Sequence, residues 1–270
     1  MSLALVLATR TSSLSARRAL SSSLSARRAM GATEVLAASA DLTRALEAPQ
    51  VTQQLAAARA GGDTLVKWVT CNMMLTSQLV AMAQRLPDLG GGNEAISHLL
   101  DLLHAGPAVA ESADAADATL AALREQTRAR WALLLRHGFG CELGPDLELS
   151  RARELAIALV DAYQAPTFLR KVSELMRGEL MGALSDLEKQ QAVTRLMILR
   201  QKEAAVPFGY SSSDEGYAQA QAALQVYVTD AVIHGSIMQG TQRVYLTAGI
   251  DMNKVMQQVQ RQHAQQQQPA

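Results

Sequence analysis

Aromatic side chains make up only 4% of this chain, and cysteine occurs twice, at Cys71 and Cys141. The first scarcity argues against β-sheet, because strands favour aromatic and β-branched residues. The second excludes a disulfide framework, and in a reducing compartment both thiols are expected to be free. A membrane span needs about 20 mostly apolar residues. The best approach to one, LVKWVTCNMMLTSQLVAMAQRL over 65–86, is interrupted by Lys67, Asn72 and Gln78 and carries Arg85 near its end. It reads as a buried helix, which leaves peripheral contact with a membrane surface open. There is no Walker phosphate loop, no GxGxxG following a strand, no CxxC, no HExxH and no EF-hand loop. Nor is there the pair of Glu-x-x-His motifs that a di-iron bundle requires. No cofactor is implied, and the reading leans away from an enzyme.

Acidic residues are absent before Glu34, while Arg10, Arg17, Arg18, Arg27 and Arg28 and eight serines fall in the same stretch. Residues 11–30, TSSLSARRALSSSLSARRAM, repeat one decapeptide. Basic, serine-rich and acid-free is the composition of an organellar import signal. As a helix, each copy separates its leucine from its arginine pair, giving a basic amphipathic segment suited to an anionic surface. Residues 1–31 are therefore expected to be a cleavable presequence, processed near RRAMGATE. The destination is expected to be the mitochondrion, in the matrix or on the matrix side of the inner membrane, with a plastid as the alternative. A disordered basic tail that binds nucleic acid is the plainer reading of the same arginines.

Formal charge is balanced at 25 basic against 25 acidic residues; without the five presequence arginines it becomes 20 against 25. Sustained phosphate binding requires an excess of Lys and Arg, so nucleic acid is an unfavoured partner. The local exception would be the basic group Arg124, Arg128, Arg130 and Arg136.

Much of the hydrophobic content is alanine, the best helix former. The expected fold is all-α, a multi-helix bundle of about seven to nine helices over 32–260, with a weak seam near 138–146 and a Gln-rich tail at 261–270. Helices are expected over 63–86 with Asp63 as N-cap, 93–104, 109–137 stopped by Gly138, and 147–163. Another opens at Pro166, runs through Leu180 on its buried stripe, and breaks near the Ser185-x-x-Glu188 capping box. A further helix is expected from Ser212-x-x-Glu215 to Gln239, and a last one after Gly240. Gly178-x-x-x-Gly182 would let another helix come close.

Two apolar stripes stand out as interface or core. One runs Trp68, Asn72, Leu75, Leu79 and Met82; the other carries Leu224, Val228, Tyr245, Met252 and Met256. Asn72 in such a seam fits a register-setting amide. His98, Asp101 and His104 are spaced by threes, which leaves the two histidines on different faces of a helix rather than on one metal-binding face. Cys141 sits among glycines in GFGCELG, with His137 four residues earlier and no base positioned by spacing. His234 lies near the apolar side of its helix, where a satisfied core histidine is commoner than a ligand. The function expected from this balance is a non-enzymatic interaction protein, an accessory or assembly subunit of a mitochondrial complex such as a respiratory complex or the ATP synthase, partnered by other protein subunits. The alternatives are a helical-bundle enzyme or small-molecule binder with a pocket near His234 or Cys141, and a mitoribosome-associated protein.

Overall fold

A computed structural model describes residues 30–86, 92–106, 112–255 and 257–259. The five presequence arginines, Arg10, Arg17, Arg18, Arg27 and Arg28, lie outside the described residues, as do Met256 and the 261–270 tail. Among the described residues the chain is helical throughout and contains no strand. The helices are α1 (Ala32–Leu46), α2 (Pro49–Gly61), α3 (Thr64–Arg85), α4 (Gly92–Ala105), α5 (Ala113–Gly138), α6 (Leu149–Gln164), α7 (Pro166–Arg177), α8 (Glu179–Gly182), α9 (Asp186–Ala205), α10 (Asp214–Gln225) and α11 (Ala231–Thr247). A 3-10 turn at Val206–Phe208 follows α9, and helical residues return after Asp251.

These are more helices than the seven to nine read from periodicity. Part of the excess comes from breaks that side-chain spacing does not mark. The stretch expected as one helix to Gln239 is two. Ser213 caps α10 by accepting from the Gly216 N–H, and Asp230 caps α11 by accepting from Val232 and Ile233. A short carboxylate bonded to the free N–H groups of a first turn is a strong start signal, and at Asp230 it falls where the apolar pattern runs on. The helix opening at Pro166 ends at Arg177 because Gly178 is extended (ψ 140°). That turns Leu180 out of the expected buried stripe, to 87% exposure. Gly182 faces open space, so the Gly178–Gly182 pair brings no helix close.

Two glycines read as helix stops are packing positions inside helices. Gly138 is the last residue of α5, where a Cβ would come 2.6 Å from Cys71 Sγ. The stop falls two residues later, at Gly140. It has φ +77° and donates to the Leu135 carbonyl at 3.0 Å, the left-handed ending that glycine favours. Gly240 lies in the middle of α11, where a Cβ would meet Val160 Cγ1 at 2.6 Å and Tyr163 Cε2 at 3.1 Å. It lets α11 lie close on α6. Gly240→Val is expected to destabilise by about 1–3 kcal/mol through overpacking. Gly235→Ala, where nothing stands within 4 Å of the new Cβ, is expected to be neutral or stabilising. Urea melts of the two variants check this.

Asp63 and the Ser185–Glu188 capping box are formed as read: Asp63 accepts from Val66 N–H, and Ser185 and Glu188 bond reciprocally. The interior is built from four packed groups of buried side chains. The first joins α2, α3 and α5 to α9 and α10 through Leu55, Trp68, Trp131, Ile198 and Tyr217. The Trp68 and Trp131 rings stack at 5.0 Å, with Tyr217 edge-on to Trp68 at 6.0 Å. A second group joins α1, α3, α4 and α5 through Leu42, Leu79, Leu99 and Leu123. The remaining two lie among α6, α7, α9, α10 and α11. No helix among the described residues is long and apolar enough to cross a membrane.

Candidate ligand-binding cavity

The two stripes singled out in the sequence lie largely inside this chain. Trp68, Asn72, Leu79, Leu224 and Tyr245 are buried. Leu75, Met82, Val228 and Met252 are half-buried. They do not form one surface. Trp68 belongs to the group around Trp131, Leu79 to that around α4, Leu224 to that around α6, and Tyr245 and Met252 to that around α7. Tyr245 Oη is held by the Gln190 amide at 3.0 Å and by Thr194 Oγ1 at 2.8 Å.

Between the first two groups is a cavity of about 60 Å³. Helical spacing explains its walls, since residues three and four apart share a face. On α3 the lining is Asn72, Leu75, Thr76 and Leu79; on α4 it is Leu100, Leu103 and His104; on α5 it is Thr127, Arg130 and Trp131. Leu42 of α1 closes one side, and Gln225 and Val228, at the end of α10 and just beyond it, close another. The walls are mainly leucine and tryptophan, with a few polar groups converging from separate helices.

Arg130 is the most unusual of these. It is 2% exposed. Its Nη1 donates to the Ser39 carbonyl at 3.2 Å and Ser39 Oγ at 2.6 Å, and its Nη2 donates to Thr127 Oγ1 at 2.7 Å. Thr127 in turn donates to the Leu123 carbonyl at 2.9 Å. Every one of these partners is neutral, and no carboxylate pairs with Arg130 among the described residues. Burial pushes its pKa down to about 10, so at neutral pH the guanidinium keeps its charge. A buried charge normally has an opposite charge beside it, because desolvation is expensive. Two buried amides face the same space. Asn72, 5% exposed, uses its Nδ2 on the Trp68 carbonyl at 2.8 Å, a bond within its own helix. Gln225, 6% exposed, makes no side-chain hydrogen bond to any described residue.

The basic group Arg124, Arg128, Arg130 and Arg136 is not a solvent-facing stripe. Arg130 points inward; Arg128 pairs with Asp146 and Glu125; Arg136 grips Glu142 with two 3.1 Å bonds; and Arg124 lies 5.3 Å over the Tyr227 ring. Carboxylates therefore offset Arg128 and Arg136 of this group, while Arg124 keeps its charge over a ring and Arg130 keeps its charge in the interior. In the sequence Arg130 looked like part of a basic helix end. The available signal was its place on the apolar face of α5, between Leu123 and Thr127 on one side and Leu134 on the other.

Neither His234 nor Cys141 lines the cavity. Both thiols are free. Burial pushes Cys71 up to about 12, and burial with the Glu215 and Glu142 charges pushes Cys141 up to about 11. Thiols so protonated are poor nucleophiles near neutral pH. His98 is exposed, while His104 faces the cavity; among the described residues no three His, Cys, Asp or Glu side chains come together as a metal site. Comparison with protein-family models, curated proteins and solved structures finds no match to this chain.

Proposed function

We propose that this protein binds a small molecule, without transforming it, in the cavity enclosed by α1, α3, α4, α5 and the end of α10, and that it does so inside an organelle. The observation that carries the reading is the convergence of a buried guanidinium and two buried amides on one mostly apolar cavity. A few placed polar groups among apolar walls is the usual make-up of a ligand site. Binding is favoured over catalysis because His104 is the one proton-moving side chain among the described lining residues, with no thiol or carboxylate lining the space beside it. The organellar setting rests on the acid-free, arginine- and serine-rich first 33 residues, with the mitochondrion preferred to a plastid.

A second reading, an accessory subunit of a larger organellar assembly, is supported by Leu180 and Leu246, which stand 87% and 69% exposed. Single exposed leucines are ordinary on a free-standing protein, so this weighs less than the cavity. Native mass after mild extraction from purified organelles separates the two. A monomer or small oligomer that releases one small molecule per chain on denaturation supports the binding protein. A large assembly with constant partners and no released compound supports the accessory subunit and overturns the first reading.

A further inference from the structure

We propose that the ligand is a small monocarboxylate with a short apolar tail, its carboxylate seated on Arg130. This rests on the binding reading above and adds the chemistry of the occupant. Arg130 is a full positive charge in the interior, and its three hydrogen bonds, two to Ser39 and one to Thr127, all go to neutral groups. A guanidinium presents five donors in a planar fork that matches a carboxylate. The protein partners hold the fork in place without neutralising it. An anion arriving from solution supplies the missing counter-charge.

The rest of the cavity narrows the class. Among the described lining residues Arg130 is the one Lys or Arg, with His104 the other nitrogen base, so the fixed charge matches a single negative charge and leaves a phosphate dianion half-neutralised. The side-chain amides of Asn72 and Gln225 are neutral and can donate to a second carboxylate oxygen. Leu42, Leu75, Leu79, Leu100, Leu103 and Val228 make most of the remaining wall, with Thr76 and His104 its other polar side chains, and this apolar share suits a hydrocarbon tail. Size sets the tail length. One water needs roughly 10–15 Å³ of such space, so the cavity of about 60 Å³ takes about four to six heavy atoms, the size of propionate or butyrate. Binding requires no covalent step.

The test is calorimetric titration of the full chain with butyrate, and with butyramide as its uncharged counterpart. The expected result is saturable binding of one butyrate per chain, at least tenfold tighter than butyramide. Arg130→Met is expected to remove that preference. Should this variant fail to fold, as judged by helical circular dichroism, Val228→Phe serves instead. It keeps Arg130 and fills the cavity from a half-buried rim position, and it is expected to weaken butyrate at least tenfold. Butyramide binding as tightly as butyrate would overturn the anion assignment. So would n-butanol binding where butyrate does not, which would leave the cavity as a site for a neutral ligand. Failure of all three probes would overturn the anion assignment and the binding reading together.

Discussion

Replacing Trp131 by alanine is expected to destabilise the protein by about 3–5 kcal/mol, the usual cost of deleting a large buried aromatic. Trp131 is 2% exposed and stacks on Trp68 at 5.0 Å; aromatic pairing adds about 0.5–1.5 kcal/mol to simple burial. The indole also forms one wall of the cavity, so its removal enlarges a space that is already open and leaves little for the surroundings to collapse onto. In a chain of this length the loss corresponds to a fall in Tm of about 6–20 °C. Leu199→Ala, at a position that is mostly exposed on α9, is expected to change stability by less than about 0.5 kcal/mol. Thermal melts of both variants check the contrast. Equal, small effects would mean that the two tryptophans do not anchor the core.

Alkaline unfolding is the second large effect. Burial raises Cys71 from its ordinary 9.0 to about 12 and Tyr163 from 10.0 to about 12. Burial likewise raises the phenols of Tyr217 and Tyr245. In the unfolded chain the thiol loses its proton from about pH 9 and the phenols from about pH 10, while the folded chain still holds them. Above those values the unfolded state binds fewer protons, so stability falls as pH rises. The contribution is complete below pH 9 and is lost on the way to about pH 12. By pH 11 Cys71 and Tyr163 alone forfeit about 4 kcal/mol, before the other two phenols are added. Arg130 works the other way. Its pKa is lower in the fold, at about 10, so it recovers about 1 kcal/mol over the same range. The net result is a stability that falls ever more steeply above about pH 10, with cooperative loss of helix expected from about pH 11 in a domain that has about 5 kcal/mol to lose. Urea melts followed by helical circular dichroism at pH 8 and pH 11 check it; an unchanged stability between the two would contradict the burial of these groups.

The helical class was legible from composition and periodicity, because alanine-rich amphipathic segments separated by Gly and Pro leave little room for strands. Starts carried by short polar side chains were legible too, as at Asp63 and Ser185. What misled was glycine. Gly138 and Gly240 have the residue type of a stop, yet each sits where one helix touches another, at Cys71 and at Val160 and Tyr163. Only the packing partner, distant in sequence, distinguishes the two uses. The cavity was illegible for the same reason. Asn72 could be seen in the seam of α3, but its convergence with Arg130 and Gln225 joins three helices and about 150 residues of chain. Arg130 looked like one base in a basic run. It differs from its neighbours in facing Ser39 and Thr127, where Arg128 and Arg136 face acids and Arg124 faces the Tyr227 ring.

The central claim is that the cavity takes a small anion at Arg130. Methyl NMR of the full chain, labelled at leucine and valine and titrated with butyrate, tests it most directly. The account predicts saturable shifts confined to Leu42, Leu75, Leu79, Leu100, Leu103 and Val228 and their immediate neighbours, absent in Arg130→Met. Shifts at the exposed Leu180, Leu199 and Leu246 instead, or none at the cavity residues, would contradict it.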